Sequence, residues 1–152
     1  MLSHKESVLK LLRRTFEKGA WHGPSVMEVL GDVTQEVAMH RLRDSHSIIE
    51  LVAHMTTWRI FVINKLRGEH YEVDDARNFP KATDWIMVFR ELLHSQEELI
   101  AAIEKSDEER WADLVPHPDL KYTFLTLLHG IIHHDLYHIG QISLIKKDFQ
   151  HR

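Results

Sequence analysis

The stretch that decides the fold runs from residue 123 to residue 148, TFLTLLHGIIHHDLYHIGQISLIKKD. Thr123 offers a hydroxyl of the kind that caps a helix N-terminus, and no proline interrupts the residues after it. Leu127, Leu128, Ile131, Ile132, Ile139, Ile142 and Ile145 recur at the steps that line one face of an α-helix. The pattern predicts a helix from Thr123 to about Asp148. Its chemistry is set by four histidines, His129, His133, His134 and His138.

Toward the N-terminus the same period recurs. Thr83 or Asp84 can cap a helix that reaches about Lys105, with Trp85, Val88, Phe89, Leu92, Leu93 and Leu99 facing inward. Ile48, Leu51, Val52, Met55, Val62 and Leu66 predict a helix from near Ser45 to Leu66, ended by Gly68. Val8, Leu9, Leu11, Leu12 and Phe16 predict another from about Ser3 to Lys18, stopped by Gly19. Shorter pieces join these. Ser25 and Glu28 have the spacing of a capping box and open a short helix that Gly31 closes, with a further helical turn after it. Ser106 and Glu109 suggest another box, around Trp111. GEHYEVDDARNFPKA (68–82) reads as irregular and HPDLKY (117–122) as a turn. No segment alternates at period two, so the expectation is an all-α four-helix bundle with short connecting helices. The long connections leave room for a crossover topology.

Composition supports one soluble unit, and residues 1–152 are read as a single domain. Hydrophobic residues are 43% and charged residues 28% of the chain, a balance that can bury a core. The net charge is −4 and the 19 Lys and Arg are dispersed, which argues against nucleic acid as a partner. The opening MLSHKESVLKLLRR is too polar for a signal peptide, and no apolar run approaches the roughly 18 residues of a membrane span. A cytoplasmic protein without a membrane partner is expected. Cysteine is absent, so metal ligands must be His, Asp or Glu, and no cysteine nucleophile is available.

Two histidines at i and i+4 stand one turn apart and can present two imidazole nitrogens to one ion. The last helix holds two such pairs, His129 with His133 and His134 with His138. At about 100° per residue, the apolar stripe centres near Ile142, Phe124 and Ile131. His134 and His138 sit on its shoulder beside Leu127 and Ile145, where a neighbouring helix can add a ligand. His129 and His133 fall on the opposite side. The third ligand is assigned to His54, which lies just off its own helix's stripe beside Leu51 and Trp58. His4, His22, His40, His70, His117 and His151 fall in termini, loops or polar faces. Spacing alone also fits a surface coincidence.

Two carboxylates near these positions are candidate bases. Asp135 falls near the middle of the apolar face, where an unpaired charge is costly, so it either bonds a neighbouring helix or orients a ligand histidine. Glu50 stands one turn before His54 and is either a base, a partner of the ligands, or a solvated side chain. Trp58, Trp85 and Trp111 read as core or pocket lining.

The segments IIELVAHMTTWRIFVINKLRG and, about seventy residues later, YTFLTLLHGIIHHDLYHIGQISLIKK resemble the DinB/YfiT-like family of small helical metalloenzymes. The resemblance implies an up-down-down-up bundle and a divalent ion bound by His54, His134 and His138. It also implies a homodimer, and an activity of the class that joins low-molecular-weight thiols, such as bacillithiol or mycothiol, to electrophiles. The partners expected are therefore a small-molecule electrophile and such a thiol. Three neutral imidazoles leave an ion its full charge and an open position, enough to lower the pKa of a bound thiol or water. The expected function is a metal-dependent thiol S-transferase; the alternatives are a metal-dependent hydrolase and a non-catalytic metal-binding protein. Zinc is the default ion for histidine ligands, and Ni, Co, Fe or Mn suit the same set.

Overall fold

The computed structural model describes residues 1–119 and 121–151. These form α1 (His4–Phe16), α2 (Val26–Leu30), α3 (Gln35–Met39), α4 (Ile48–Arg67), α5 (Asp75–Asn78), α6 (Trp85–Lys105) and α7 (Phe124–Gln150). A 3-10 turn spans Glu108–Ala112. Extended pairing among the described residues is limited to an isolated bridge between Leu114 and Thr123. The all-α architecture is therefore the one the periodicity predicts.

Each helix begins at a short polar residue: Ser3, Ser25, Thr34, Ser47, Asp74, Asp84 and Thr123. These side chains suit helix starts because the first amide N–H groups have no partner within the helix. Gly68 ends α4 in the left-handed conformation, φ 73°, with the Glu69 N–H bonded to the Asn64 carbonyl at 2.9 Å.

Three local details differ from the sequence reading. The second long helix starts after Ser47 rather than near Ser45, because Glu50 folds back to accept from the Ser47 N–H at 2.8 Å. A short helix, α5, lies inside the stretch read as irregular, started by the Asp74 carboxylate accepting from the Arg77 N–H at 2.8 Å. No box joins Ser106 to Glu109. Ser106 instead ends α6, donating to the Ile103 carbonyl at 2.7 Å and accepting from Trp111 Nε1 at 3.0 Å, while Asp107 caps the turn. The expected 117–122 turn includes Leu120, which lies outside the described residues.

Two clusters of buried side chains fix the helix directions. One contains Phe16, Ile48 to Met55, Trp85 to Leu92 and Ile139 to Ile145. The other contains Val8 and Leu12, Phe61 to Ile63, Leu99 to Ile103 and Leu127 to Ile132. Thus α1 and α7 run from the second cluster to the first, and α4 and α6 run from the first to the second: up, down, down, up. Lys5 and Arg13 of α1 bond Glu104 near the end of α6, as this order requires. Helices α4 and α7 are thereby antiparallel neighbours, which sets His54 against the middle of α7.

Between the clusters lies a buried ionic layer. Arg59 of α4 is fully buried and holds both carboxylate oxygens of Asp135 on α7, itself 1% exposed. Its Nη1 donates to Gln96 Oε1 of α6 at 2.7 Å, and its guanidinium lies 4.7 Å from the Phe16 ring centroid. One side chain therefore ties all four long helices together. Burial raises the Asp135 pKa, against the opposing pull of Arg59.

Candidate metal centre

At the same level as this layer, three imidazoles converge. His54 comes from α4, and His134 and His138 from successive turns of α7. His134 Nε2 lies 3.1 Å from His54 Nε2 and 3.1 Å from His138 Nε2. Among the described residues these three form the group of His, Asp, Glu or Cys side chains whose atoms come close enough to hold one ion.

The outer nitrogens of two rings are fixed. His54 Nδ1 donates to the Asn78 backbone carbonyl at 2.6 Å, and His138 Nδ1 donates to Gln141 Oε1 at 2.6 Å. With those protons on Nδ1, both Nε2 atoms present lone pairs inward. Burial lowers the pKa of all three rings, and His134 is pushed down to about 3 by burial and then by the neighbouring His138 and His54. At neutral pH the cluster is uncharged and its nitrogens are free to coordinate.

The arrangement fits a cation. His134 Nδ1 is buried without a hydrogen-bond partner, so a proton on either ring nitrogen leaves one polar atom uncompensated. Protonating Nδ1 strands that donor and turns a third lone pair toward the other two; protonating Nε2 strands Nδ1 as an acceptor. A positive ion among the Nε2 atoms removes the repulsion of the converging lone pairs. Zn–N bonds of about 2.0–2.1 Å at angles of roughly 90–109° put nitrogens about 2.8–3.4 Å apart. The two 3.1 Å separations made by His134 fall inside that range, and the ligand atoms of the three residues all lie within 4.8 Å of one another.

The other predicted residues have different places. His129 and His133 are exposed, their ring centroids 6.3 Å apart. Asp135 is occupied by Arg59, and Glu50 by the Ser47 N–H, the Ser47 hydroxyl at 3.1 Å and Arg41. His40, grouped with the loop and polar-face histidines, is in fact buried, paired to Asp148 at 2.7 Å and edge-on to Phe149. Trp58 lies against the cluster, while Trp85 and Trp111 are buried in the core.

Two supporting residues escaped sequence reasoning, as did the part Gln141 plays in holding His138. Phe79 stacks flat on His54 at 4.1 Å and on His46 at 3.9 Å, its ring held between two imidazoles. Asn78 accepts His54 on its carbonyl and the Trp58 indole N–H on its side chain at 3.0 Å. Both lie at the end of α5, and the Asp74 cap was the available signal for that helix.

Beside the cluster opens a cavity of ≈ 240 Å³ whose walls include Trp58, Val62, Tyr122, Leu127, Ile131 and His134. One of the three clustered histidines, His134, thus forms part of the wall of an apolar cavity, the arrangement common to small-molecule sites.

A family model of the DinB superfamily matches residues 20–142. The chain belongs to the DinB superfamily. The match spans all three histidines and leaves α1 outside it. No curated protein and no solved structure matches the chain. No described helix of this DinB-superfamily protein is long and apolar enough to cross a membrane.

Proposed function

We propose that this protein is a metal-dependent thiol S-transferase, with a divalent ion, zinc in the first instance, held by His54, His134 and His138. The observation that carries the reading is three neutral Nε2 atoms converging at the edge of an apolar cavity, with the nearby carboxylates already engaged. A divalent cation in that position favours the ionised form of a thiol. The reaction asks little more of the protein. The thiol proton passes to solvent, the sulfur forms a bond to carbon, and the leaving group departs with the electron pair of the broken bond. Thiol attack needs no carboxylate base, which suits a site where Glu50 and Asp135 are taken up by Ser47, Arg41 and Arg59. Asn78 and Gln141 hold two of the three rings in orientation, and Trp58, fixed by Asn78, forms part of the apolar wall of the cavity.

The test begins with protein purified without a metal-affinity column and analysed by metal mass spectrometry. About one ion per chain is expected in wild type, His129→Ala and His133→Ala, and none in His54→Ala, His134→Ala or His138→Ala. The metal-loaded protein is then given bacillithiol, mycothiol, coenzyme A or glutathione with 1-chloro-2,4-dinitrobenzene, and thioether formation is followed by absorbance. A chain that takes up no metal refutes the site. A loaded chain that cleaves nitrophenyl esters and forms no thioether refutes the transferase reading in favour of hydrolysis.

A further inference from the structure

The cavity has a direction. On α4, His54, Trp58 and Val62 follow one another at four-residue steps, and on α7 so do Thr126, Gly130 and His134. Residues at that spacing share a helix face. Because the two helices are antiparallel, the rows oppose each other and the cavity runs as a groove from the histidines toward Tyr122. Eight residues at 1.5 Å each make this about 12 Å.

The lining of the groove is uncharged throughout. A cavity of about 150 Å³ lined by apolar side chains takes up benzene, so ≈ 240 Å³ accommodates an aromatic ring with a substituent, or a branched alkyl group. A charged group there would lose its hydration and find no counter-ion.

Gly130 lies in the wall of the groove. It stands inside α7, where glycine weakens a helix relative to alanine, and a Cβ built on it meets no atom within 4 Å. Neither close packing nor a left-handed backbone demands glycine at this point, and Gly130 is one of the residues that line the groove. A longer side chain at 130 would lean toward the N-terminus of α7, over the turn that carries Thr126 and Leu127, as helix geometry dictates.

We propose that this groove binds the uncharged apolar part of the electrophile, an aryl or branched alkyl group, and that Gly130 sets the size of group admitted. The inference rests on the three-histidine reading, since the histidine end of the groove is where the bound group would react.

The test uses metal-loaded full-length protein with toluene as probe, followed by NMR of the methyl groups of Val62, Leu127 and Ile131. Saturable shifts are expected in wild type, weakened several-fold in Gly130→Ala and more than tenfold in Gly130→Leu. Both variants should keep about one metal per chain and melt no lower than wild type. Naphthalene, being larger, should be excluded by Gly130→Ala more sharply than toluene. Wild type that binds metal but shows no toluene shifts overturns the groove and leaves the metal site standing, as does Gly130→Leu binding toluene as wild type does. If Gly130→Leu fails to fold, the Gly130→Ala series decides, and equal affinity there for both probes overturns the size role of Gly130. A chain that takes no metal overturns the reading beneath the proposal, whatever toluene does.

Discussion

Replacing Asp135 with Asn should be among the most damaging single changes in this protein. Arg59 is fully buried, and the substitution removes its counter-charge, leaving the guanidinium with neutral partners: the one remaining side-chain oxygen at position 135, Gln96 Oε1 at 2.7 Å and the face of Phe16. Removing one member of a buried ion pair costs about 3–5 kcal/mol, against a total stability of about 5–15 kcal/mol. At about 2–4 °C per kcal/mol for a domain of this size, the melting temperature should fall by roughly 6–20 °C. Replacing the pair together, Arg59→Met with Asp135→Leu, removes both desolvated charges and should return stability to within about 1 kcal/mol of wild type or above it. Urea unfolding of wild type, Asp135→Asn and the double variant reads both numbers, and metal analysis of the double variant separates structure from chemistry. If the pair only spaces α4 from α7, the double variant keeps its metal and its thioether formation; metal retained with activity lost would make Asp135 a participant in the reaction. A loss of under 1 kcal/mol in Asp135→Asn would refute the account of Arg59 as a dehydrated charge dependent on this partner.

The same geometry sets three other outcomes. Gln141→Leu deletes the acceptor for His138 Nδ1, 2.6 Å away, and should weaken metal binding about 10- to 100-fold by competition with a chelator; unchanged affinity would show that this bond does not orient the ring. Glu50→Gln keeps a side chain able to accept from the Ser47 N–H while losing the charge that meets Arg41, so it should cost under about 1 kcal/mol and leave thioether formation intact. A large loss of activity at full metal content would reinstate Glu50 as a base. In metal-free protein, His54, His134 and His138 have folded pKa values below the unfolded value of about 6.5, so the unfolded chain binds more protons in the interval between. Stability should be full above pH 6.5 and fall toward pH 3, by up to about 1.4 kcal/mol per pH unit for each ring that stays neutral. Urea midpoints that are flat from pH 7 to pH 5, or a His134→Gln variant as acid-sensitive as wild type, would contradict that assignment.

What the sequence could disclose depended on how local each cause is. Helix α7 was legible because its apolar period and the Thr123 cap act within a few residues, and the same holds for Gly68 as the stop of α4, whereas α1 ends at Phe16 with Glu17 as its cap, before the expected Lys18 and Gly19. The choice of His134 and His138 over His129 and His133 was legible too, because angle around a helix decides which pair faces a neighbour. Asp135 was placed correctly in the apolar face, yet its partner could not be named. Arg59 lies 76 residues away, and only the antiparallel setting of α4 against α7 brings the two together. The start of α4 was misplaced for a smaller reason: Ser45 and Ser47 are both acceptable caps, and Glu50 at the third helical position selects Ser47.

The surroundings of the three histidines were harder still, because they come from backbone and loop atoms whose chemistry is not encoded in residue type. Any residue at position 78 offers the carbonyl that fixes His54, and only the path of α5 delivers it. Phe79 reads as one apolar residue before a proline, although its ring separates two imidazoles. Gly130 is the reverse case. Its meaning lies in an absent side chain, and a glycine inside a helix reads from sequence only as a local weakness until the space beside it is known to be a groove ending at His134. Residues that contribute donor atoms or apolar faces can thus be found by period and spacing, while those that contribute a carbonyl, a stacking partner or room for a ligand become visible once the helices are assembled.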